Sequence, residues 1–155
     1  MVDELIQLEQ WATPLLAKLA PSQRRQLART IALDLRRSQQ QRIAAQIAPN
    51  GTPYVARKHK LESFRDKRGA IRRRKGAMFV KLRTARWLKT NITHDGTDVG
   101  FFGRVARLAR VHHEGGMDRV APNGPMAKYP VRPLLGFTKA ERQVIQDRVL
   151  EYLRD

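Results

Sequence analysis

Three adjacent residues, His112-His113-Glu114, carry the side chains from which zinc sites and general bases are built. Zinc on a helix takes ligands four residues apart on one face, as in H-E-x-x-H, and the residue four beyond His113 is Met117. That spacing does not suit a metal. Neighbouring residues on a helix point about 100° apart, so one histidine is expected to pack inward or bond a backbone carbonyl while the other faces solvent. Serine occurs only at Ser22, Ser38 and Ser63, outside any G-x-S-x-G elbow. Gly69 and Gly76 lack the Lys-Ser or Lys-Thr that completes a phosphate loop. Glu62 and Asp66 beside Lys67 have the outline of a nuclease metal pair, but two acids at i, i+4 among ten cations read as salt-bridge partners. With no cysteine, thiolate metal sites, disulfides and cysteine nucleophiles are excluded. The residues predict no catalysis, no cofactor and no metal.

What the sequence does offer is charge. A chain of 155 residues fits one domain, and its formal charge of +17 favours an anionic partner. The excess is local: residues 1–56 carry +3, residues 57–110 carry +13 and residues 111–155 carry +1. "FRDKRGAIRRRKGAMF", residues 64–79, contains seven Arg or Lys. Apolar residues recur there with neither the helical nor the strand period, so 57–76 is predicted to be a basic, flexible arm that a partner orders. Its interaction candidates are Arg65, Lys67, Arg68, Arg72, Arg73, Arg74 and Lys75. Such a run would release counterions from a phosphate backbone. Phe64 is its one aromatic residue of stacking type, and no helix-turn-helix or zinc-finger signature accompanies it. Charge alone therefore supports a small, basic, non-specific nucleic-acid binder, and it fits an acidic protein surface equally well. No apolar run approaches the roughly 18 residues of a membrane span. The first residues lack a secretory leader's basic start, so synthesis in the cytoplasm and no membrane partner are expected.

The elements that position these residues follow from periodicity. Asp3 is a plausible N-cap for a helix with Leu5, Leu8, Trp11, Leu15, Leu16 and Leu19 on its apolar side, kinked or restarted at Pro14. A long second helix is expected from a Ser22 cap through Leu27, Ile31, Leu35, Ile43 and Ile47 to the stop at Pro49-Asn50-Gly51. Its other face is Arg and Gln, suited to solvent or to a soluble subunit interface. "AMFVKLRTARWL" resumes helical spacing through Met78, Phe79 and Leu82. Asp95-Gly96 then predicts a β-hairpin at about 86–102. Another helix follows with Val105, Leu108 and Val111 or His112 on one side, closed by Gly115-Gly116. One short strand near Lys128–Arg132 is expected to join the hairpin sheet. The last helix starts with Thr138 and Glu141 in capping-box spacing and buries Val144, Ile145, Val149, Tyr152 and Leu153. The fold class is α/β of the α+β kind: a small, mainly antiparallel sheet packed by helices near 104–114 and 138–153. A helical part at 1–48 precedes the arm, and the α/β core spans 77–155.

Five stretches in this order carry a resemblance: "LIQLEQWATPLLAKLAPSQRRQLARTIALDLRRSQQQRI", "AQIAPNGTPYVARK", "KGAMFVKLRTARWLK", "VGFFGRVARLARVHHEGG" and "YPVRPLLGFT". Over almost its whole length the chain resembles the virion morphogenesis family of tailed phages, the S-type tail completion proteins of contractile-tailed phages and their Mu-like relatives. The most specific parts are Ala109 to Gly115 and Arg132 to Gly136. His112, Gly115, Arg132 and Gly136 are therefore added to the interaction candidates, with a role in fold and ring packing rather than chemistry. Gly115 would end its helix in the left-handed region, and Gly136 would release the chain ahead of Thr138.

The resemblance implies a structural neck component that completes the tail and makes it competent to join a DNA-filled head, in the virion and assembled in the host cytoplasm. Its implied partners are further copies of itself in a ring, a hexamer because contractile tails are six-fold or else a dodecamer, together with neighbouring neck and tail-terminator proteins. The basic arm would then meet a neighbouring subunit or, non-specifically, the DNA in the channel. Protein contact is preferred, since a cationic sleeve would retard passing DNA.

Overall fold

The long second helix is the spine of the molecule. The computed structural model describes residues 2–57, 77–93 and 96–154. In chain order it contains α1 (Val2–Leu16), α2 (Pro21–Ala44), β1 (Leu88–Ile92), β2 (Thr97–Phe101), α3 (Arg104–Glu114), β3 (Met117–Arg119), β4 (Met126–Lys128) and α4 (Lys139–Arg154), the expected α+β class. Against α2 pack β1, β2 and α4, while α1 lies on α4.

In α1 the half-buried residues include Leu5, Leu8, Trp11, Leu15 and Leu16, as the spacing predicts, with Ala12 beside them; Leu19 lies past the helix end, and Asp3 lies inside the first turn instead of capping it. Pro14 sits in the last turn of the helix, which ends at Leu16, and cannot supply the N–H that would reach the Gln10 carbonyl. Pro21, not Ser22, opens α2, at the first position where an absent N–H is harmless. The Ala20 N–H donates instead to Gln23 Oε1 at 2.9 Å. Leu27, Ala32, Leu35, Gln39 and Ile43 are the buried residues of α2. Gln39 is only 3% exposed and Arg36 and Arg42 are half-buried, so part of the Arg and Gln face is turned inward. The reason is packing on more than one side of the helix.

α2 stops before the Pro49-Asn50-Gly51 signal. Gln46 takes a left-handed φ of 62°, and the Pro-Asn-Gly sequence forms the tip of a small turn in which the Ala48 N–H donates to the Thr52 carbonyl at 2.8 Å. The helix expected from Met78 is also replaced, by consecutive hydrogen-bonded turns over 78–83 and 85–87. Phe79 has φ 64°, which an α-helix cannot pass through. Met78, Phe79 and Leu82 nonetheless face inward, joining Ile43, Tyr54, Leu88 and Leu134 in the core.

The predicted hairpin is present as β1 and β2, with Leu88 opposite Phe101, Thr90 opposite Val99 and Ile92 opposite Thr97 on the inward face. His94 and Asp95, and with them the predicted Asp-Gly turn, lie outside the described residues. The Thr93 N–H donates to the Gly96 carbonyl at 2.9 Å and closes the strands. The strand expected near 128–132 is shorter and sits elsewhere: β4 pairs antiparallel with β3 in a second two-stranded sheet, not with β1 and β2. Pro130 has no N–H to continue a ladder, and the Arg132 N–H is taken by the His112 carbonyl at 2.8 Å.

Two apolar residues assigned inward from spacing point outward: Leu108 of α3 is 43% exposed and Val144 of α4 is 42% exposed. The α4 capping box forms as read, with the Thr138 N–H donating to Glu141 Oε2 at 2.7 Å and the Glu141 N–H donating to Thr138 Oγ1 at 3.1 Å. Arg148 Nε donates to Asp34 Oδ2 at 3.0 Å and fastens α4 to α2.

Candidate functional site

The two most specific segments of the sequence bind one another. Residues 129–136 form an irregular strap across the C-terminal end of α3 and the loop after α2. Without a β-ladder its polar backbone must find other partners, and side chains supply them. His113 Nδ1 accepts from the Leu134 N–H at 3.1 Å and, more weakly, from the Leu135 N–H at 3.5 Å. Tyr54 donates its hydroxyl to the Pro133 carbonyl at 3.1 Å, and Arg42 donates to the Gly136 carbonyl at 3.3 Å. Leu134, fully buried, pins the strap to the core.

Arg132 is 4% exposed and faces back across the strap. Its Nε donates to the Val55 carbonyl at 2.6 Å and its terminal nitrogen to the Ala56 carbonyl at 3.1 Å. Those two carbonyls lie at the end of the first described stretch, which closes at residue 57. At the other end Gln46 makes an equivalent grip: its Oε1 accepts from the Met78 N–H at 2.7 Å and its Nε2 donates to the Met78 carbonyl at 3.0 Å. The Gln46 carbonyl also accepts the Tyr54 N–H at 2.8 Å. One residue thus ties the two feet of the basic segment together. The left-handed backbone of Gln46 and Phe79 costs on the order of 1 kcal/mol each, which this double hydrogen bond offsets.

Gly115 caps α3 with φ 76° and ψ 41°, the left-handed conformation foreseen for it. A Cβ there would lie 2.7 Å from Val131 Cγ2 and 3.0 Å from the Val131 backbone nitrogen. Gly136 has φ 146°, and a Cβ there would lie 2.8 Å from Pro49 Cγ. Both glycines let the strap approach its neighbours closely.

His112 is neither in solvent nor bonded to a carbonyl through its ring. It stands edge-on between Phe79 and Tyr129, with centroids 5.1 and 4.8 Å away, and Phe79 in turn meets Tyr54 at 5.7 Å. His113 is half-buried as well, so the expectation that one of the pair faces solvent does not hold. Burial, with Arg132 and Arg57 nearby, holds the His112 pKa below its ordinary 6.5. Protonation is therefore favoured in the unfolded chain. Stability from this group is complete above pH 6.5 and is lost as pH falls through the window below it. The melting temperature is expected to fall between pH 7.5 and 5.5, and His112→Phe should reduce that fall while keeping the ring packing; an unchanged pH dependence in the variant would show that His112 is not its source.

Among the candidates, His112, Gly115, Arg132 and Gly136 come together in this strap. Arg65, Lys67, Arg68, Arg72, Arg73, Arg74 and Lys75 lie outside the described residues. Gln46, Tyr54 and Arg42 complete the arrangement without having been singled out in the sequence, and His113, considered there for metal binding, joins them. The available signal for Gln46 and Tyr54 was their nearness to the Pro-Asn-Gly turn; Arg42 carried none. Two open grooves, between α2 and α4 and between α1 and α4, are lined by other residues. Among the described residues no three of His, Asp and Glu gather as a metal site, and no helix is long and apolar enough to cross a membrane.

The strap segment Arg132–Gly136 and the α3 end that it crosses, Ala109–Gly115, are also the segments on which the family resemblance rests. The chain is 38% identical over 153 residues to tail completion protein S of Escherichia phage P2, covering 98% of this chain and 99% of that protein. No solved structure matches it. Residues 3–154, from α1 to the end of α4, match the family model, and the chain belongs to the phage virion morphogenesis family.

Proposed function

We propose that this chain is a structural virion protein that completes the phage tail and makes it competent to join the head, acting as a ring subunit of the neck beside other neck and tail-terminator proteins. The observation that carries the reading is end-to-end similarity to a protein named for tail completion, with 98% of this chain and 99% of that protein aligned. The strap supports it physically. The residues most specific to the family are spent on holding the chain's own backbone, which is the use expected of a scaffold and not of a catalyst. Six-fold symmetry is the geometry proposed for the ring, with closure by repeated copies of one contact.

The test is complementation. In cells infected by a phage lacking this gene, full heads and unjoined tails should accumulate, and adding the purified chain to such an extract should restore infectious particles. Efficient joining without the chain would remove the reading. The second reading, a nucleic-acid binder, is favoured by the +13 carried by residues 57–110. It requires duplex DNA affinity that falls steeply with salt, with a slope lowered by about 3 when Arg72, Arg73 and Arg74 are replaced together by Ala. Indifference to duplex DNA at physiological salt would dispose of it.

A further inference from the structure

The β3–β4 ribbon presents a face that the chain itself does not cover. Its register sets Met117 opposite Lys128 and Arg119 opposite Met126, and all four residues are exposed, Met117 at 62% and Met126 at 54%. Thioethers lie on one diagonal and cations on the other. Asp118, on the opposite side of the ribbon, is half-buried and ion-paired with Arg107 of α3, so it does not offset the cations of this face. A lone two-stranded ribbon is marginal in water, and exposed methionines suit a surface that adapts to a partner.

A surface of matching chemistry exists on the same chain. Residues 1–17 contain Asp3, Glu4 and Glu9 and no Lys or Arg, although the chain as a whole carries +17. On α1, Asp3 and Glu9 are exposed on either side of Ile6, itself 44% exposed. Residues three apart on a helix are neighbours, so acid, aliphatic and acid form one short row.

We propose that α1 of one copy docks on the β3–β4 face of the next, with Ile6 against Met117 and Met126, and Asp3 and Glu9 against Arg119 and Lys128. The proposal rests on the ring-subunit reading and names its interface. The contact joins two different surfaces, so it is head to tail and propagates around a closed ring. Ribbon against ribbon would set cation against cation, which is repulsive. Duplex DNA would satisfy the cations but leave Met117 and Met126 against phosphate and water.

The experiment measures the mass of the full-length chain by light scattering over a range of concentrations at low salt, with nucleic acid removed. Wild type should assemble. Arg119→Glu with Lys128→Glu, and separately Asp3→Lys with Glu9→Lys, should each weaken assembly about a hundredfold while keeping the wild-type circular dichroism. Mixing the two variants should restore assembly, because each supplies the surface that the other has reversed. Met117→Ser with Met126→Ser should weaken it even at about 0.5 M salt, where ionic contacts are screened. A wild type that stays monomeric, charge variants that assemble like wild type, a mixture that does not recover, or assembly seen only on adding duplex DNA would each overturn the proposal. If the head-joining complementation still succeeds in that case, the interface is wrong and the tail-completion reading stands.

Discussion

Gly115→Ala should lower the unfolding free energy by about 3 kcal/mol, of which the left-handed backbone contributes ~1–2 kcal/mol and crowding the rest. The crowding is against backbone as well as side chain: the new Cβ would stand 3.0 Å from the Val131 nitrogen and 3.2 Å from the Tyr129 carbonyl oxygen. A flexible side chain could swing away from such contact, whereas the strap cannot move without giving up the bonds that His113, Tyr54 and Arg42 make to it. For a chain of this size the melting temperature should drop by about 6–12 °C. Gly51→Ala is the control, since Gly51 has φ 85° but nothing within 4 Å of an added Cβ; it should cost only the backbone part, about 1–2 kcal/mol. Equal losses at the two positions would mean that backbone conformation, and not the approach of the strap, sets the requirement for glycine at 115.

Arg132→Met should cost about 2 kcal/mol, with Arg132→Lys nearly as damaging. Methionine fills much of the same volume but leaves the Val55 and Ala56 carbonyls without their donors. An ammonium group can serve one of them but lacks the planar fork that reaches both. Burial and the neighbouring Arg57 hold the Arg132 pKa below that of an ordinary arginine, a sign that its charge is held at some expense. Its interaction with the two carbonyls is what offsets that expense. Denaturant unfolding of the three proteins at neutral pH checks the ordering, and a lysine variant as stable as wild type would refute the two-pronged grip.

Legibility in the sequence followed the kind of force involved. Elements fixed by local chemistry were readable: the Thr138 and Glu141 capping box, the left-handed cap at Gly115, and the β1–β2 hairpin announced by Asp95-Gly96. Features decided by long-range packing were not. Leu108 and Val144 fit a helical stripe by number, but α3 and α4 are rotated by what they pack against, so both point outward. The turns at 78–87 carry helix-like spacing because Met78, Phe79 and Leu82 do face the core, and only the backbone at Phe79 shows why no helix forms. Most hidden was the strap. Its residues have neither period, since their backbone groups are satisfied by the distant side chains of His113, Tyr54 and Arg42 and by the His112 carbonyl, and a sequence gives no distance between His113 and Leu134.

The Gln46 knot couples two described stretches of chain that the sequence separates. Its backbone carbonyl holds Tyr54 and its side chain holds Met78, so the two stretches meet at a single corner. A substitution at Gln46 would therefore free the Met78 side and leave the Tyr54 side in place, whereas one at Arg132 would free only Val55 and Ala56. One amide side chain is thus the hinge pin on which the second stretch hangs.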